Sequence, residues 1–175
     1  MGDSLATIFV ILLAAIIMFV FPLMTMADRT DDISQLTVQT ATTDFVDKVR
    51  TTGKLSMEDY SAFEEKISAT GNKYDIELEA KVLDENPGKK TTLAQADKIG
   101  KNEYYSIYSS QILDTLSSSK LTLKEGDIFS ASVKNASSTL SQQLKNFAYK
   151  VTGNDTYVIA AQHSGYVTAN GSSNQ

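Results

Sequence analysis

Residues Leu5 to Met24 read LATIFVILLAAIIMFVFPLM, twenty consecutive positions without a charge. At about 1.5 Å per residue a helix of that length covers roughly 30 Å, the thickness of a bilayer's hydrocarbon core. Thirteen of the twenty are Leu, Ile, Val or Phe, and each favours insertion by about 0.3–0.6 kcal/mol near a helix centre, roughly 4–8 kcal/mol together. No Lys or Arg precedes Arg29, and Asp3 is the only acid before Asp28. Thr25-Met26-Ala27 would offer a cleavage edge to a secretory signal, but Met1 to Ser4 hold no base. The apolar run is also longer than the usual h-region of about 7–15 residues. Residues 1–27 therefore read as a retained transmembrane helix. Pro22, near the end of the run, reads as a proline tolerated at a local kink. The basic-residue asymmetry that sets orientation is nearly silent, because Arg29 stands among Asp28, Asp31 and Asp32. The long polar remainder favours a single pass with the C-terminal part outside.

The 175 residues include 16 basic and 21 acidic side chains, 42% hydrophobic residues, no Cys and one His. Their mean hydropathy of -0.17 averages two unlike parts, an apolar N-terminus and a polar remainder. Such a length holds one ordinary domain plus the anchor. The missing Cys excludes disulfide frameworks, thiolate nucleophiles, Cys-ligated zinc and iron–sulfur clusters, and a single His excludes a multi-histidine metal site. From Asp28 to Arg50 there is neither Pro nor Gly, and Ile33, Leu36, Thr40, Phe45 and Val49 recur at spacings of three to five. That pattern predicts an amphipathic stalk helix over residues 28–53, continuing out of the bilayer, with Ile33, Leu36, Phe45 and Val49 on its packing face. Span and stalk would form one rod of about 45 residues, roughly 65–70 Å long, stopped at Thr51-Thr52-Gly53.

Residues 54–175 read as a small α+β head. Ser56 followed by Asp59 resembles a capping box opening a short helix with Tyr60, Phe63 and Ile67 on its apolar stripe, closed by Gly71-Asn72. Between Tyr74 and Val82, Ile76, Leu78 and Ala80 alternate with Asp75, Glu77, Glu79 and Lys81, which predicts an antiparallel strand with one wet face. Asn86-Pro87-Gly88 ends it as a turn, and Lys89 to Asn102 reads as a loop or a poorly held helix. Tyr104 to Leu116 carries a helix-like pattern whose tyrosines could equally begin a strand. Leu121 and Leu123 lead into a turn at Lys124-Glu125-Gly126-Asp127. Phe129, Ala131 and Val133 then alternate with serines and Lys134 as a second strand. Ser137, Ser138 or Thr139 can cap a helix with Leu140, Leu144, Phe147 and Val151 as its stripe, ending at Gly153. Tyr157, Ile159 and Ala161 start a third strand, in which Gly165 predicts a bulge or bend. The tail from Asn170 to Gln175 reads as frayed. The expected fold is a long membrane and stalk helix carrying a head with an antiparallel sheet of about three strands packed with helices.

No constellation of catalytic residues emerges. Any Ser-His-Asp device must run through His163, but its neighbour Ser164 would point to the opposite face of a strand, and no G-x-S-x-G elbow is present. Asp31-Asp32, Glu64-Glu65 and Glu77/Glu79 are candidate carboxylate pairs for acid–base work or a hard cation, but Glu77 and Glu79 would share the wet face of a strand, the expected place for charge. With Asp3 set aside, 20 acids face 16 bases and the longest basic run is Lys89-Lys90, which argues against nucleic-acid binding. Tyr104, Tyr105 and Tyr108 lack the basic neighbours a base-stacking platform requires, and read as core or interface residues. Asn135-Ala136-Ser137, Asn154-Asp155-Thr156 and Asn170-Gly171-Ser172 match the glycosylation pattern, as such triplets do by chance in a chain this rich in Ser, Thr and Asn. No cofactor is called for.

An uncharged N-terminal helix with a proline near its end, prolonged into an amphipathic rod and followed by an α+β head, resembles the type IV pilin-like proteins. The head is similar to TadE-like pseudopilins of Gram-positive tight-adherence (Tad) loci, through FVDKVRTTG (Phe45 to Gly53), DYSAFEEKISATGNKYDIEL (Asp59 to Leu78), EGDIFSASVKN (Glu125 to Asn135) and SGYV (Ser164 to Val167). The resemblance implies a non-enzymatic minor or initiating pilus subunit in the cell membrane or in a surface filament. Leu5, Phe9, Leu12, Ile16, Phe19 and Pro22 would lie on its assembly helix. Its partners would be the membrane and other pilin-like subunits or a pilus assembly platform, with a homo-oligomer as a further form. Pilins carry a basic leader ending in Gly, and a Glu shortly inside the apolar segment. Here Met1-Gly2 precede Asp3 and the segment holds no acid, so the processing position would fall between Gly2 and Asp3. The alternative is a membrane-tethered extracellular binding module of a conjugation or secretion apparatus, in which the helix is only an anchor. An anchored hydrolase using His163 is the third and weakest reading.

Overall fold

A computed structural model of the chain describes residues 2–84, 103–143 and 158–171. The first element, α1 (Gly2–Thr52), is one unbroken helix of 51 residues, about 76 Å long at the ideal rise. Pro22 lies inside it without ending it. Just past the uncharged run, hydroxyls turn back onto the helix: Thr25 Oγ1 donates to the Phe21 carbonyl and Thr30 Oγ1 to that of Met26, at 3.1 and 3.0 Å. The helix ends at Gly53, whose φ of 65° is the left-handed cap conformation and whose N–H donates to the Val49 carbonyl at 2.8 Å.

After a two-residue strand β1 (Lys54–Leu55), Ser56 opens α2 (Met57–Ser68) with the expected capping box: its hydroxyl accepts from the Asp59 N–H, and the Asp59 carboxylate accepts from the Ser56 N–H. Strand β2 (Tyr74–Leu83) follows. The stretch from Tyr104 is split between two elements, β3 (Tyr104–Tyr108) and α3 (Ser109–Ser118). The switch falls at Ser109, whose hydroxyl accepts from the Leu78 N–H at 2.7 Å and donates to the Leu78 carbonyl at 3.3 Å. This hydroxyl stands in for the next strand residue on β2 and frees the chain to turn. A two-residue strand β4 (Leu121–Thr122) pairs antiparallel with β1. The Asp127 carboxylate then fixes the turn into β5 (Ile128–Asn135), accepting from the N–H groups of Lys124 and Leu83 at 2.7 and 2.9 Å.

The main sheet has four antiparallel strands, not about three, in the order β3-β2-β5-β6, with β6 spanning Ala160–Tyr166. Among the described residues, the extra strand is the tyrosine segment. The register places Ala80, Phe129, Ile107 and Gly165 in one row and Leu78, Ala131 and His163 in the next, all on the face toward the helices. Beneath that face Val38, Phe45 and Val49 of α1, Phe63 and Ile67 of α2, and Ile112 and Leu116 of α3 form one buried core with Phe129, Val133 and Ile159. The opposite face carries Glu77, Glu79, Ser130, Ser132 and Gln162. The expected bulge at Gly165 is absent, since the β5–β6 register runs through it evenly. Glycine leaves room there for the Arg50 side chain, which crosses the strand at that point and would have to shift for a Cβ, 2.4 Å from its Nε.

Residues 140–143 begin a helix, as expected, but Leu140 is exposed while Thr139, Ser141 and Gln142 are buried. The readings at Asn86-Pro87-Gly88, Lys89 to Asn102, Leu144 to Tyr157 and 172–175 lie outside the described residues.

Candidate functional site

The feature that organises the molecule is α1 itself. Leu5, Phe9, Leu12, Ile16, Phe19 and Pro22 are all exposed on its first half. It is the one helix among the described residues long and apolar enough to cross a membrane. Leu5, Leu12, Phe19, Met26 and Ile33 recur every seven residues, and Phe9, Ile16, Leu23, Thr30 and Thr37 recur beside them in the same way. Residues four apart adjoin on a helix, so the two rows make a single stripe without a charge. Two grooves lie along it. One, of about 630 Å³, is lined by Ile8, Leu12, Ala15, Ile16 and Phe19. The other, of about 300 Å³, is lined by Thr30, Ile33, Thr37 and the end of α2 at Ala69-Thr70.

The base of the head is tied to α1 just past the apolar run. Thr139 forms a capping box with Gln142: its hydroxyl accepts from the Gln142 N–H at 3.2 Å and its own N–H donates to Gln142 Oε1 at 3.1 Å. The same hydroxyl donates to Asp31 Oδ2 at 2.7 Å, and the Ser141 hydroxyl donates to the Asp28 carboxylate. Asp31, Thr139 and Ser141 are all buried. One threonine thus caps a helix and satisfies a buried carboxylate 108 positions away. Thr139→Val removes the cap and leaves the carboxylate a donor short, an expected loss of about 2–3 kcal/mol. Thr139→Ser should retain most of it, as read by urea unfolding of the full chain in detergent.

Farther up, the Gln35 amide brackets edge strand β6, accepting from the Ala160 N–H at 3.0 Å and donating to the Ala160 carbonyl at 2.7 Å. At the other end of β6, Arg50 Nε donates to the Tyr166 carbonyl at 3.0 Å. The helix therefore covers both ends of a strand edge that would otherwise invite pairing with another chain. The expected stalk face divides. Phe45 and Val49 are buried against the head, but Ile33 and Leu36 are each 67% exposed. The residues that meet the head between them are Val38, Ala41, Thr42 and Val46. Beside Phe45 and Val49, the close approach of the helix to the sheet is made by residues that are small or β-branched.

Lys48 pairs with Asp59 and Lys66 with Asp44, the latter at 2.9 Å, joining α2 to α1. Burial pushes the Asp59 carboxyl up, but hydrogen bonds from Lys48 and Ser56 outweigh it and hold the group below its ordinary value. A carboxyl lowered on folding adds stability that is present above its unfolded pKa, about 4, and lost as pH falls through the folded value. Asp59→Asn should accordingly cost about 1–2 kcal/mol at pH 7 and flatten the stability–pH curve below pH 4.

His163 faces the helices, with Nε2 3.2 Å from Asp47 Oδ1, while Arg50 donates to the same oxygen at 2.7 Å. Its neighbour Ser164 lies on the opposite sheet face in the row of Ser130. His163 therefore sits in the helix–sheet contact with no serine hydroxyl in reach on its own strand face. Glu77 and Glu79 line a polar groove of about 700 Å³ with Tyr108, Ser109, Ser132 and Gln162. Glu79 accepts from Ser106 at 2.8 Å, and Lys81 lies 3.8 Å away. Among the described residues no three His, Asp or Glu side chains gather as a metal site. Tyr104 donates to the Gly126 carbonyl at 3.2 Å, whereas Tyr105 and Tyr108 are exposed. Two of the Asn-x-Ser/Thr asparagines have structural work: Asn135 donates to the Ser137 carbonyl and Asn170 accepts from the Glu125 N–H, both at 2.9 Å.

Sequence reasoning missed the Asp31–Thr139 tie, the Gln35 bracket and the continuation of the stripe through Met26 to Ile33. Only the last left a signal, in the seven-residue recurrence. Comparison with protein-family models, with curated proteins and with solved structures finds no match for this chain.

Proposed function

We propose that the protein is a non-enzymatic, pilin-like subunit anchored in the cell membrane by Leu5 to Met24, with its head outside. It serves as a minor or initiating component of a Tad-type or other type IV pilus, or of a related envelope assembly. The observation that carries this reading is the division of labour along α1: a bare apolar half of membrane length, continuous with a half that forms the spine of the head. A helix used only as a tether needs no rigid continuity with its domain. A helix that must transmit packing between subunits to a displayed head does. Retention of the apolar half is supported at Ala27, which is buried mid-helix, next to Asp28 with its bond to Ser141. A non-enzymatic role is supported by the employment of His163 in the contact between α1 and β6. The parts that would do the work are the exposed residues of α1 for assembly and the outer sheet face for display.

The test is replacement of Leu5 to Met24 by an unrelated spanning helix of equal length in the native host. Loss of surface filaments by negative-stain microscopy, and of co-purifying pilin-like proteins, is the expected result. Full retention of both would leave the helix a mere anchor and contradict the proposal.

A further inference from the structure

We infer that the seven-residue stripe of α1 is the seam of a parallel, in-register dimer between two copies of this chain. An ideal helix has 3.6 residues per turn, so a strict seven-residue apolar repeat drifts around a lone straight helix and stays on one line only when two helices supercoil together. Here it holds from Leu5 through Leu12, Phe19 and Met26 to Ile33, crossing from the apolar run into the polar stalk without a break. Lipid explains exposed apolar side chains in the first part. It does not explain Met26 and Ile33, each 67% exposed where the row leaves the uncharged run. Apolar side chains held in water along a line that continues a membrane face mark a contact surface.

A second copy of this chain is the occupant that fits the stripe. Two copies inserted with the same topology run parallel, and in a parallel pair each seam residue meets its own counterpart across a two-fold axis. The seam suits that symmetry because neither row carries a charge until Asp44, which is held by Lys66 of its own head. The stalk part of the row, Thr30 and Thr37, is small enough for close approach beside the groove at Ala69-Thr70. The eight large apolar residues in the two rows, all exposed, offer on the order of 100 Å² each, so about 800 Å² per copy, the size of a standard interface. The face buried against the head, with Val38, Phe45 and Val49, is a different one, so both contacts can be made at once. This inference rests on the membrane-anchored reading above and adds to it the partner and the register.

The chain has no Cys, so single cysteines report contacts without ambiguity. Full-length Met26→Cys, Ile33→Cys and Thr40→Cys, on the seam, are compared with Asp32→Cys and Gln39→Cys, off it, by copper-phenanthroline oxidation of native membranes. All five positions are exposed, so the core is untouched. Because disulfides need Cα atoms within about 7 Å, the seam variants should form covalent homodimers at least about fivefold more than the others. Ile33→Glu placed in the Met26→Cys chain should abolish its cross-link. Equal cross-linking at all five positions, no cross-linking at any, or adducts with a different protein would each overturn the inference. Carbonate washing of the same membranes separates the two failures. A chain released by the wash would bring down the anchored reading and this inference together, whereas a retained chain without cross-links brings down the dimer alone.

Discussion

Phe45→Ala is expected to destabilise the head by about 3–5 kcal/mol, a large share of the 5–15 kcal/mol that holds a typical domain together. Phe45 is 5% exposed and sits where three elements meet. Its ring stacks on Phe63 of α2, centroids 4.3 Å apart and planes 9° from parallel, and meets the edge of Phe129 of β5 at 5.9 Å and 65°. Truncation therefore removes the transfer free energy of the ring, leaves a cavity bounded by a helix on one side and a sheet on the other, and ends two aromatic contacts. Urea unfolding of the full chain in detergent, followed by circular dichroism, measures the loss. Membrane retention should be unchanged, because among the described residues the apolar half of α1 is exposed and carries no packing from the head. A loss below about 1 kcal/mol would mean that the helix is not the spine of the head.

Gly53→Ala should cost about 3 kcal/mol or more, the largest effect expected of a single methyl group here. The left-handed φ of 65° already disfavours a side chain by about 1–2 kcal/mol. The added Cβ would also stand 2.4 Å from the Gly171 nitrogen and 2.5 Å from the Ala169 carbonyl oxygen, both backbone atoms that cannot swing aside. The peptide of Gly53 is itself bound, its carbonyl accepting from the Leu123 N–H while Leu123 accepts from the Gly171 N–H, each at 2.8 Å. The substitution thus disturbs the end of α1, the approach to β5 and the chain after β6 together. A thermal midpoint within about 2 °C of the parent would contradict this account of the junction.

Much of this architecture is legible in the residues. The absence of Gly and Pro from Asp28 to Arg50 foretells one long helix, Gly53 its end, Ser56 and Asp59 its successor's cap, and the alternations around Ile76 and Ala131 two strands whose apolar residues face the helices. The failures have physical causes. Tyr104 to Leu116 contains both a strand and a helix, and the break at Ser109 is set by a hydroxyl bonding to Leu78, 31 positions earlier, which no local pattern can carry. The two-residue strands β1 and β4 are too short for any periodicity. Ile33 and Leu36 are apolar but lie on a second face, because the face toward the head is set by fit to β5 and β6 and includes Ala41 and Thr42. The ties that hold the base of the head, Asp31 to Thr139 and Asp28 to Ser141, join polar residues more than a hundred positions apart and leave no trace in composition.

On the proposed reading a single helix, uncut, both enters the membrane and carries the head. N-terminal sequencing of the protein isolated from carbonate-washed membranes of its native host tests this most directly. The expected result is a sequence starting at Met1 or at Asp3, so that Leu5 to Met24 stay joined to the head. A protein starting at Asp28, recovered in the soluble fraction, would contradict it.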